Sequence, residues 1–419
     1  MLQIMRLAVF TSQFPSTVNT FFERDIRALL ELGIEIDIYP IYPLDPALWR
    51  FVSETLNPAV LPRSRVHHLA QLQAVRRIRP WRTKELSLMA RESWRIVRSA
   101  ARFGVLPVAK SLYVAPKAWA WASTNQNPYD HVLAYWGNYA ATCAYLFCRL
   151  RHTPFSFFLH AGTDLYRDQV FLLEKLHTAS HIFTECDFNR RFLRDLYPSD
   201  FGSFEAKLHV HYLGLDLENF LYAPTGRPNN QVIGVGRLCK AKGYEFLLKA
   251  LALLETRGIY LECDFYGDGP ERRRLEVLAA KLRSTVRFHS FKPFGEVRDA
   301  MGRATVLVHP SPWIGDATPT VIKEALAVGL PVVASDIVGI PELLNFGKCG
   351  LLVAPQDVRG IADAITKIIT DEPLRYSLVE AGRRHAEEKF DMWGNGKQMK
   401  EVLLNSSFGP VNPKDAPSV

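Results

Sequence analysis

Residues 234–243 read Gly-Val-Gly-Arg-Leu-Cys-Lys-Ala-Lys-Gly, between a strand-like segment at Gln231–Val235 and a helical pattern at Tyr244–Glu255. Glycines at the end of a strand let the backbone approach a ligand, and the N-terminus of the next helix presents unpaired N–H groups. Arg237 and Lys242 add two positive charges at this place. The segment predicts a strand–turn–helix unit whose loop binds a diphosphate. A tight turn with solvated basic residues is the alternative for this segment taken by itself.

Strands and helices alternate on both sides of this segment. Towards the C-terminus, four further strand-like runs alternate with helical patterns as far as Ala334. Near the N-terminus, strand-like Ile4–Phe10 and Ile34–Tyr39 flank a helical pattern that Thr20 opens and Gly33 closes. Strand–helix–strand units build parallel sheets, and a chain of 419 residues is too long for one ordinary core. The sequence therefore predicts an α/β protein with two doubly wound domains.

Composition marks the limits of these domains, with a polar linker at Arg227–Asn230 between them. The last residues are rich in proline and small polar side chains, a composition typical of disorder. The predicted parts are a first domain at 1–225 with a basic helical insertion at about 47–127, a second domain at 231–388, a C-terminal helix at 389–404 that packs back on the first domain, and a disordered tail at 405–419.

A second group of polar residues follows the glycine-rich loop in the predicted second domain. Asp316 and Glu324 are separated by seven residues, which place Asp316 on a loop after a strand and Glu324 on the following helix. Ligands of open parallel sheets bind at the carboxyl ends of the strands, where Asp316 is expected. The Glu324 carboxylate could accept hydrogen bonds from sugar hydroxyls, or it belongs to an ordinary exposed helix residue.

Two segments together resemble the retaining family 4 glycosyltransferases. They are Gly-Arg-Leu at 236–238 with Lys242 and Gly243, and the acidic pair that runs into Glu-Ala-Leu-Ala-Val-Gly-Leu-Pro-Val-Val at 324–333. The resemblance spans roughly residues 205–390. It implies a GT-B fold, in which two Rossmann-like domains with doubly wound parallel sheets face each other across a cleft. This sequence has Asp316 where the family has a glutamate, one methylene longer.

The resemblance also implies roles for residues of the second domain. Arg237 and Lys242 would hold the diphosphate of a nucleotide-sugar donor, Glu324 would bind the ribose, and Asp316 would face the donor sugar. Arg237, Lys242 and Asp316 are therefore expected in catalysis. The other donor-binding residues implied are Gly236, Gly267, Thr318, Pro319 and Thr320.

In the first domain, two segments match the family. His160 follows a strand-like run, and the family has a histidine there that approaches the donor sugar. The resemblance implies an orienting or polarising role in catalysis for His160, and a purely structural histidine is the alternative. The polar loop Thr11–Asn19 resembles that of the subgroup that builds exopolysaccharides and O-antigens. Its residues expected on the acceptor side are Phe14, Ser16, Thr17 and Asn19.

The function that this resemblance implies is transfer of a sugar from a nucleotide diphosphate sugar, with UDP or GDP as the nucleotide. The acceptor would be a saccharide or a lipid-linked molecule, and the anomeric configuration would be retained. A GT-B-like nucleotide-sugar epimerase and a non-catalytic nucleotide-sugar-binding protein are the alternatives. The sequence contains no Asp-x-Asp, and no His/Cys group has metal-ligand spacing, so neither a metal nor another cofactor is expected.

Positive charge is concentrated in one segment of the chain. Residues 60–120 contain thirteen Lys and Arg against two acids, a net charge of +11, whereas the whole chain carries +8. Helical patterns lie at Arg65–Arg79 and Lys84–Ala101. Such a segment fits an anionic membrane surface. A solvated helical face and a nucleic-acid patch are the alternatives, although no nucleic acid is expected as a partner.

Two further features bear on localisation. The six cysteines are scattered without a Cys-x-x-Cys pair, which is typical of reduced thiols in the cytosol. No apolar run reaches the roughly 18–20 residues that a bilayer span requires. The prediction is a cytoplasmic protein that can contact the inner face of the plasma membrane.

Overall fold

The computed structural model describes residues 5–16, 20–49, 61–78, 83–125, 128–162, 164–315 and 317–405. Within these ranges the chain forms two compact units. The first unit comprises the described residues up to Glu185, Asn189–His211 and those from Met392 onwards. The second unit comprises Cys186–Phe188 and Tyr212–Asp391.

The first unit contains a parallel sheet with the strand order β2-β1-β3-β4-β5-β6. Most residues of its strands are buried, as expected of a parallel sheet that helices cover on both faces. Leu7 in the first strand pairs with Ile36 on one side and with His131 on the other. The strands are β1 (Arg6–Thr11), β2 (Glu35–Pro40), β3 (His131–Ala134), β4 (Phe155–Leu159), β5 (Ile182–Thr184) and β6 (Leu208–Val210).

Eight helices lie between β1 and β6 in the described part of the chain. They are α1 (Thr20–Glu31), α2 (Gln71–Arg77), α3 (Thr83–Ala101), α4 (Val105–Thr124), α5 (Tyr139–Arg151), α6 (Leu172–Thr178), α7 (Asp187–Leu196) and α8 (Phe201–Phe204). Gly33 ends the first of them with a φ of +84°. The Ile34 N–H then donates to the Leu29 carbonyl at 3.1 Å, which closes the helix and lets β2 begin.

The basic insertion between β2 and β3 contains a helix that the sequence pattern does not show. Helix α4 continues through Pro116, although proline removes one hydrogen bond from a helix interior. Tertiary packing offsets that loss, because Trp119 and Trp121 on the same helix are buried in the core of the first unit. Lys117, counted above among the basic residues, is 1% exposed, and its ammonium donates to the Ile41 carbonyl at 2.6 Å.

The second unit contains another parallel sheet, with the order β12-β11-β10-β7-β8-β9. Its strands are β7 (Gln231–Val235), β8 (Glu262–Tyr266), β9 (Thr285–Phe288), β10 (Val306–His309), β11 (Val332–Ser335) and β12 (Leu351–Val353). Its helices are α9 (Tyr244–Thr256), α10 (Arg272–Ala279), α11 (Phe294–Arg303), α12 (Thr320–Ala327), α13 (Ile340–Leu343), α14 (Val358–Thr370) and α15 (Glu372–Lys389). Two doubly wound α/β domains are thereby confirmed.

The limits of the units differ from the predicted domain limits. The first unit gives way to the second after His211, earlier than the predicted residue 225, because the following segment packs within the second unit. Leu215 N–H donates to the Phe390 carbonyl at 2.6 Å, and the Lys323 ammonium donates to the Leu213 carbonyl at 2.6 Å. The predicted tail lies outside the described residues from position 406 onwards.

The last helix, α16 (Met392–Leu404), belongs to the first unit and packs against α1. A Cβ atom added to Gly396 would lie 2.7 Å from the Ala28 Cβ, so only glycine allows this close approach. The Lys400 ammonium donates to the Leu32 carbonyl at 2.7 Å. Within the described ranges, none of the helices combines the length and the apolar character of a membrane span.

Candidate functional site

The carboxyl edge of the second sheet contains a topological switch point. Strand β7 comes first along the chain but lies in the middle of the sheet, with β8 and β9 on one side and β10, β11 and β12 on the other. The loops after β7 and β10 therefore leave neighbouring strands in different directions. Ligands of open α/β sheets bind in the crevice that such loops leave.

Two glycines bring the loops after β7 and β8 into backbone contact. Gly236 has a φ of +140°, and its N–H donates to the Tyr266 carbonyl at 2.9 Å. Gly267 has a φ of +138°, and a Cβ atom there would lie 2.1 Å from the Gly236 carbonyl oxygen. A side chain at Gly267 would clash with backbone, so the two loops can meet only because residue 267 is glycine.

A third glycine joins the β7 loop to the β10 loop. Gly243 has a φ of +66°, and a Cβ atom there would lie 2.1 Å from the Pro310 carbonyl oxygen. Helix α9 begins at the next residue, Tyr244, so the N-terminus of α9 lies beside the β10 loop. The first N–H groups of a helix, together with its dipole, attract anions.

The predicted cations lie on this β7 loop. Arg237 is exposed and Lys242 is half-buried. A Cβ atom added to Gly236 would lie 3.5 Å from the Lys242 Cε, so the aliphatic part of the lysine side chain packs beside the Gly236 backbone. The two charges and the α9 N-terminus make this loop suited to a diphosphate.

One acid opposes that charge at the start of α9. Glu245 lies in the first turn, where a carboxylate occupies the positive end of the helix dipole and repels an anionic ligand. The Arg274 guanidinium donates to the Glu245 carboxylate, and the Lys249 ammonium lies 4.0 Å from it. These cations offset the negative charge of Glu245 without removing it.

The second predicted motif follows β10. Thr318 and Pro319 are buried, and Thr320 is half-buried and begins α12. Glu324 is half-buried in the second turn of this helix. Asp316 lies outside the described residues. The second unit thus brings the β7 loop, Gly267 and the start of α12 to one edge of the sheet.

His160 lies in the first unit, directly after β4, and is 5% exposed. Its Nε2 is 2.9 Å from the Tyr135 carbonyl oxygen, which only accepts, so this nitrogen carries a proton. Its Nδ1 is 3.7 Å from the Glu185 carboxylate. Burial by itself lowers the pKa of His160. The hydrogen bond and charge of Glu185 and the charge of Asp164 together raise it by more, so the pKa lies above its usual value. His160 therefore holds its proton more strongly than an isolated histidine does.

Two buried residues, Asp164 and Lys175, contact the turn after β3, and the charge of Asp164 also acts on His160. Asp164 accepts a hydrogen bond from the Gly137 N–H at 2.9 Å, and burial raises the pKa of its carboxyl to about 6. The Lys175 ammonium donates to the Gly137 carbonyl at 2.7 Å, and burial lowers the pKa of Lys175 to about 7. Together these side chains fix the turn that follows β3.

Sequence reasoning missed two residues of this cluster. Glu185 follows β5 at the same edge of the sheet, and the rule that functional groups lie at carboxyl ends of parallel strands could have identified it. Lys175 gives no such signal, because a lysine in an amphipathic helix is ordinarily an exposed residue.

The predicted acceptor-side residues fall into three groups. Phe14 is 1% exposed and packs edge-to-face on Phe22 at 5.7 Å, so its ring faces the core. Its ring supports the loop after β1 from the core side. Ser16 is half-buried, and Thr17 and Asn19 lie outside the described residues.

The described residues contain no group of three or more His, Cys, Asp or Glu that could hold a metal ion.

Comparison with known proteins shows which families and structures the chain resembles. Residues 224–385 match the family model described as glycosyl transferases group 1. The amylovoran biosynthesis glycosyltransferase AmsK of Erwinia amylovora is 25% identical over 425 residues, covering 95% of this chain and 99% of AmsK.

Solved structures show the same fold. Anabaena Alr3699/HepE in complex with UDP has a TM-score of 0.69 at 18% identity, covering 96% of this chain and 100% of that chain. Sucrose-phosphate synthase (tll1590) from Thermosynechococcus elongatus has a TM-score of 0.63 at 20% identity, with coverages of 96% and 100%.

Two doubly wound parallel-sheet units, a matching glycosyl transferase family model and relatives named as glycosyltransferases identify a glycosyltransferase of the GT-B fold. More particularly, residues 224–385 resemble the family described as glycosyl transferases group 1. The resemblance to family 4 drawn from the sequence is thereby confirmed.

Proposed function

We propose that this enzyme transfers a sugar from a UDP- or GDP-activated donor to a saccharide or lipid-linked acceptor during exopolysaccharide assembly, with retention of configuration. The observation that carries the proposal is the meeting of three loops at the switch point, with Arg237 and Lys242 beside the N-terminus of α9. AmsK is named for amylovoran biosynthesis, and Alr3699/HepE was solved with UDP and glucose.

Departure of the nucleoside diphosphate is the step that needs most electrostatic help, because negative charge develops on the leaving oxygen. Arg237, Lys242 and the first N–H groups of α9 would stabilise this charge in the transition state. Loss of one such preorganised donor typically costs about 3–4 kcal/mol of activation free energy. The proposal involves no metal or other cofactor.

The remaining donor contacts follow the family resemblance. Glu324 would accept hydrogen bonds from the ribose, and Asp316 would face the donor sugar. Backbone N–H groups of Thr318 and Thr320, at the start of α12, would approach the donor. The Thr11–Asn19 loop of the first unit, with Ser16, Thr17 and Asn19, would serve the acceptor.

His160 would act through its charge and position. Both ring nitrogens face acceptors of the protein, the Tyr135 carbonyl and the Glu185 carboxylate, so neither is oriented to remove a proton from an acceptor hydroxyl. An imidazolium held this way can orient a sugar hydroxyl or stabilise negative charge nearby.

Donor binding is tested first by thermal denaturation with UDP, GDP, ADP and dTDP and their sugars. A ligand at 100 times its Kd stabilises the native state by about 2.7 kcal/mol, so the correct nucleotide raises the melting temperature. Transfer of labelled sugar to cell-envelope acceptors then tests catalysis. Epimerised donor formed without an acceptor would favour the epimerase, which the comparisons do not favour. Nucleotide binding without turnover would favour the non-catalytic alternative.

We also propose that the enzyme works at the cytoplasmic face of the plasma membrane, through the basic segment at residues 60–120. The support is the concentration of Lys and Arg there, since each such residue near an anionic leaflet contributes roughly 1 kcal/mol to binding.

A further inference from the structure

The helical hairpin formed by α3 and α4 exposes large apolar side chains. Five of them lie between positions 94 and 112, and two, Val105 and Leu106, are 86% and 63% exposed. Residues Phe103–Leu106, which include the end of the connection and the first two residues of α4, are called the hairpin tip below. The exposed apolar residues are Trp94, Phe103, Val105, Leu106 and Leu112.

The helical period explains this pattern. On α3, Glu92, Ile96 and Ala100 are buried, whereas Trp94 and Arg98 lie on the opposite, exposed face. On α4, Val105 and Leu112 are seven residues apart and therefore lie on one face, exposed, while the second half of the helix enters the core. The exposed apolar groups thus occupy outward positions of both helices, where no other residue of the described ranges covers them.

The positive charges of the hairpin fall into two classes. Arg91 and Arg95 pair with the buried Glu92 carboxylate at 3.3 and 3.1 Å, so they stabilise the hairpin itself. Near the tip, Arg98 lies over the Trp94 ring with 5.3 Å to its centroid. Among the described residues, no carboxylate forms an ion pair with Arg98 or Arg102. The tip is therefore apolar with arginines behind it.

We infer that the hairpin tip enters an anionic phospholipid surface, with Phe103, Val105 and Leu106 among the upper acyl chains and Arg98, Arg102 and Trp94 at the headgroups. Trp94 precedes the end of α3 by seven residues, which is about 10 Å of helix. Interfacial elements bury roughly 5–10 Å into the headgroup boundary, and tryptophan and arginine favour that level. The charges complement anionic lipid, and the apolar tip distinguishes this partner from nucleic acid. The inference rests on the proposed membrane location but is independent of the sugar-transfer chemistry.

Co-sedimentation of the full-length protein with vesicles tests the inference. Phosphatidylcholine vesicles are compared with vesicles that also contain phosphatidylglycerol, at low and high salt. Wild-type protein is expected to bind only the anionic vesicles, and less at high salt. Arg98→Gln is expected to weaken binding about fivefold. The double variant Val105→Ser/Leu106→Ser is expected to weaken it at least about tenfold, with a smaller change in salt dependence.

Matched controls come from the second unit. Leu221→Ser replaces an apolar residue that is 83% exposed, and Arg359→Gln replaces an exposed arginine. Both are expected to bind anionic vesicles like the wild type. Every variant is also assayed for its thermal shift with UDP and GDP. An intact shift with lost vesicle binding supports the inference, and a lost shift in the wild type refutes only the donor proposal.

Three results would overturn the inference. The wild type could bind neutral and anionic vesicles equally or not at all. The tip variant could bind as the wild type does. The basic segment could bind an oligonucleotide with an affinity that Arg98→Gln lowers, while anionic vesicles are ignored, which would assign the surface to nucleic acid.

Discussion

In the second unit, Arg237 and Lys242 lie on a loop that three glycines hold against its neighbours, and Arg237 is exposed. In the first unit, Asp164 and Lys175 are buried, and each contacts the Gly137 backbone. Both groups lie near the carboxyl edge of a parallel sheet. We propose that the cations of the second unit bind a ligand that brings negative charge, whereas the first unit uses its charges to fix its own turn. Substitutions of the second-unit cations should therefore reduce catalysis, whereas substitutions of the buried charges in the first unit should reduce stability.

The largest expected effect is on catalysis in the second unit. The double variant Arg237→Ala/Lys242→Ala should lower kcat/KM by more than about a thousandfold, because each cation contributes about 3–4 kcal/mol at the transition state. The melting temperature without ligand should stay unchanged. Steady-state kinetics of sugar transfer measure kcat/KM, and thermal denaturation measures the melting temperature. Lys240→Ala, an exposed lysine of the same turn, serves as control with a small effect. Equal activities would refute the assignment of the diphosphate site.

Gly267→Ala tests whether backbone contact builds the site. The new Cβ would lie 2.1 Å from the Gly236 carbonyl oxygen at a φ of +138°, so we expect a loss of about 2–3 kcal/mol of stability and of the nucleotide-dependent thermal shift. Urea denaturation measures the stability. Gly295→Ala in α11, where a Cβ meets no atom within 4 Å, should be neutral or stabilising. A tolerated Gly267→Ala would show that the loops can move apart.

Lys175→Met tests the structural role of the buried charges in the first unit. It leaves the Gly137 and Asn138 carbonyls without their donor, so unfolding free energy should fall by about 2–3 kcal/mol. Since the folded pKa of Lys175 is about 7, below the unfolded value, the unfolded state binds more protons above pH 7. Lys175 should therefore make the free energy of unfolding of the wild type increase as pH rises from about 7 to 10. The variant should not show this increase. Lys348→Met, at an exposed position, is the control.

Glu185→Gln tests whether His160 acts through its positive charge or only through its position. Glu185 raises the pKa of His160, so its removal should lower that pKa. If the imidazolium is needed, activity falls as pH rises through the folded pKa, and the variant should show this fall at lower pH, with activity near neutrality reduced about tenfold. The stability from the pair is present at low pH and is lost above the folded pKa. A pH–rate profile identical to the wild type would mean that His160 is purely structural.

The smallest expected effect concerns the acid at the start of α9. Glu245→Gln should strengthen nucleotide binding about two- to fivefold, because it removes a negative charge from the first turn of the helix. Arg274→Ala should act in the opposite direction, because it removes the cation that offsets Glu245. Titration of both variants with nucleotide measures the difference, and a change of the same sign in both would contradict this explanation.

The second unit could be predicted from the sequence because its determinants are local. Fewer than ten residues contain the β7 loop, its last residue Gly243 and the start of α9. The glycines of this loop allow the close approach of neighbouring loops. The approach of the β7 loop to Gly267 and Pro310 follows from the strand order, in which β7 lies between β8 and β10. Alternation of strands and helices predicts the parallel sheet but not this order.

The first unit was predicted less completely because its decisive contacts are distant in sequence. Phe14 lies in a polar loop, yet its ring packs on Phe22 in the core. Lys117 and Lys175 resemble surface lysines, but distant carbonyls accept from them, at Ile41 and at Gly137. Pro116 disfavours a helix at its position, so the sequence pattern does not predict α4, which tertiary packing stabilises.

Helix α16 has a consequence for synthesis of the protein. The first unit begins to leave the ribosome early, but the helix that covers Ala28 of α1 and Leu32 just beyond α1 is made only after the second unit. The nascent first unit must therefore wait, with this apolar groove open, while the complete second unit is translated, at roughly 5–20 residues per second. Chaperone binding to ribosome-stalled chains that end before Met392 should persist, and it should decline once Leu404 has emerged.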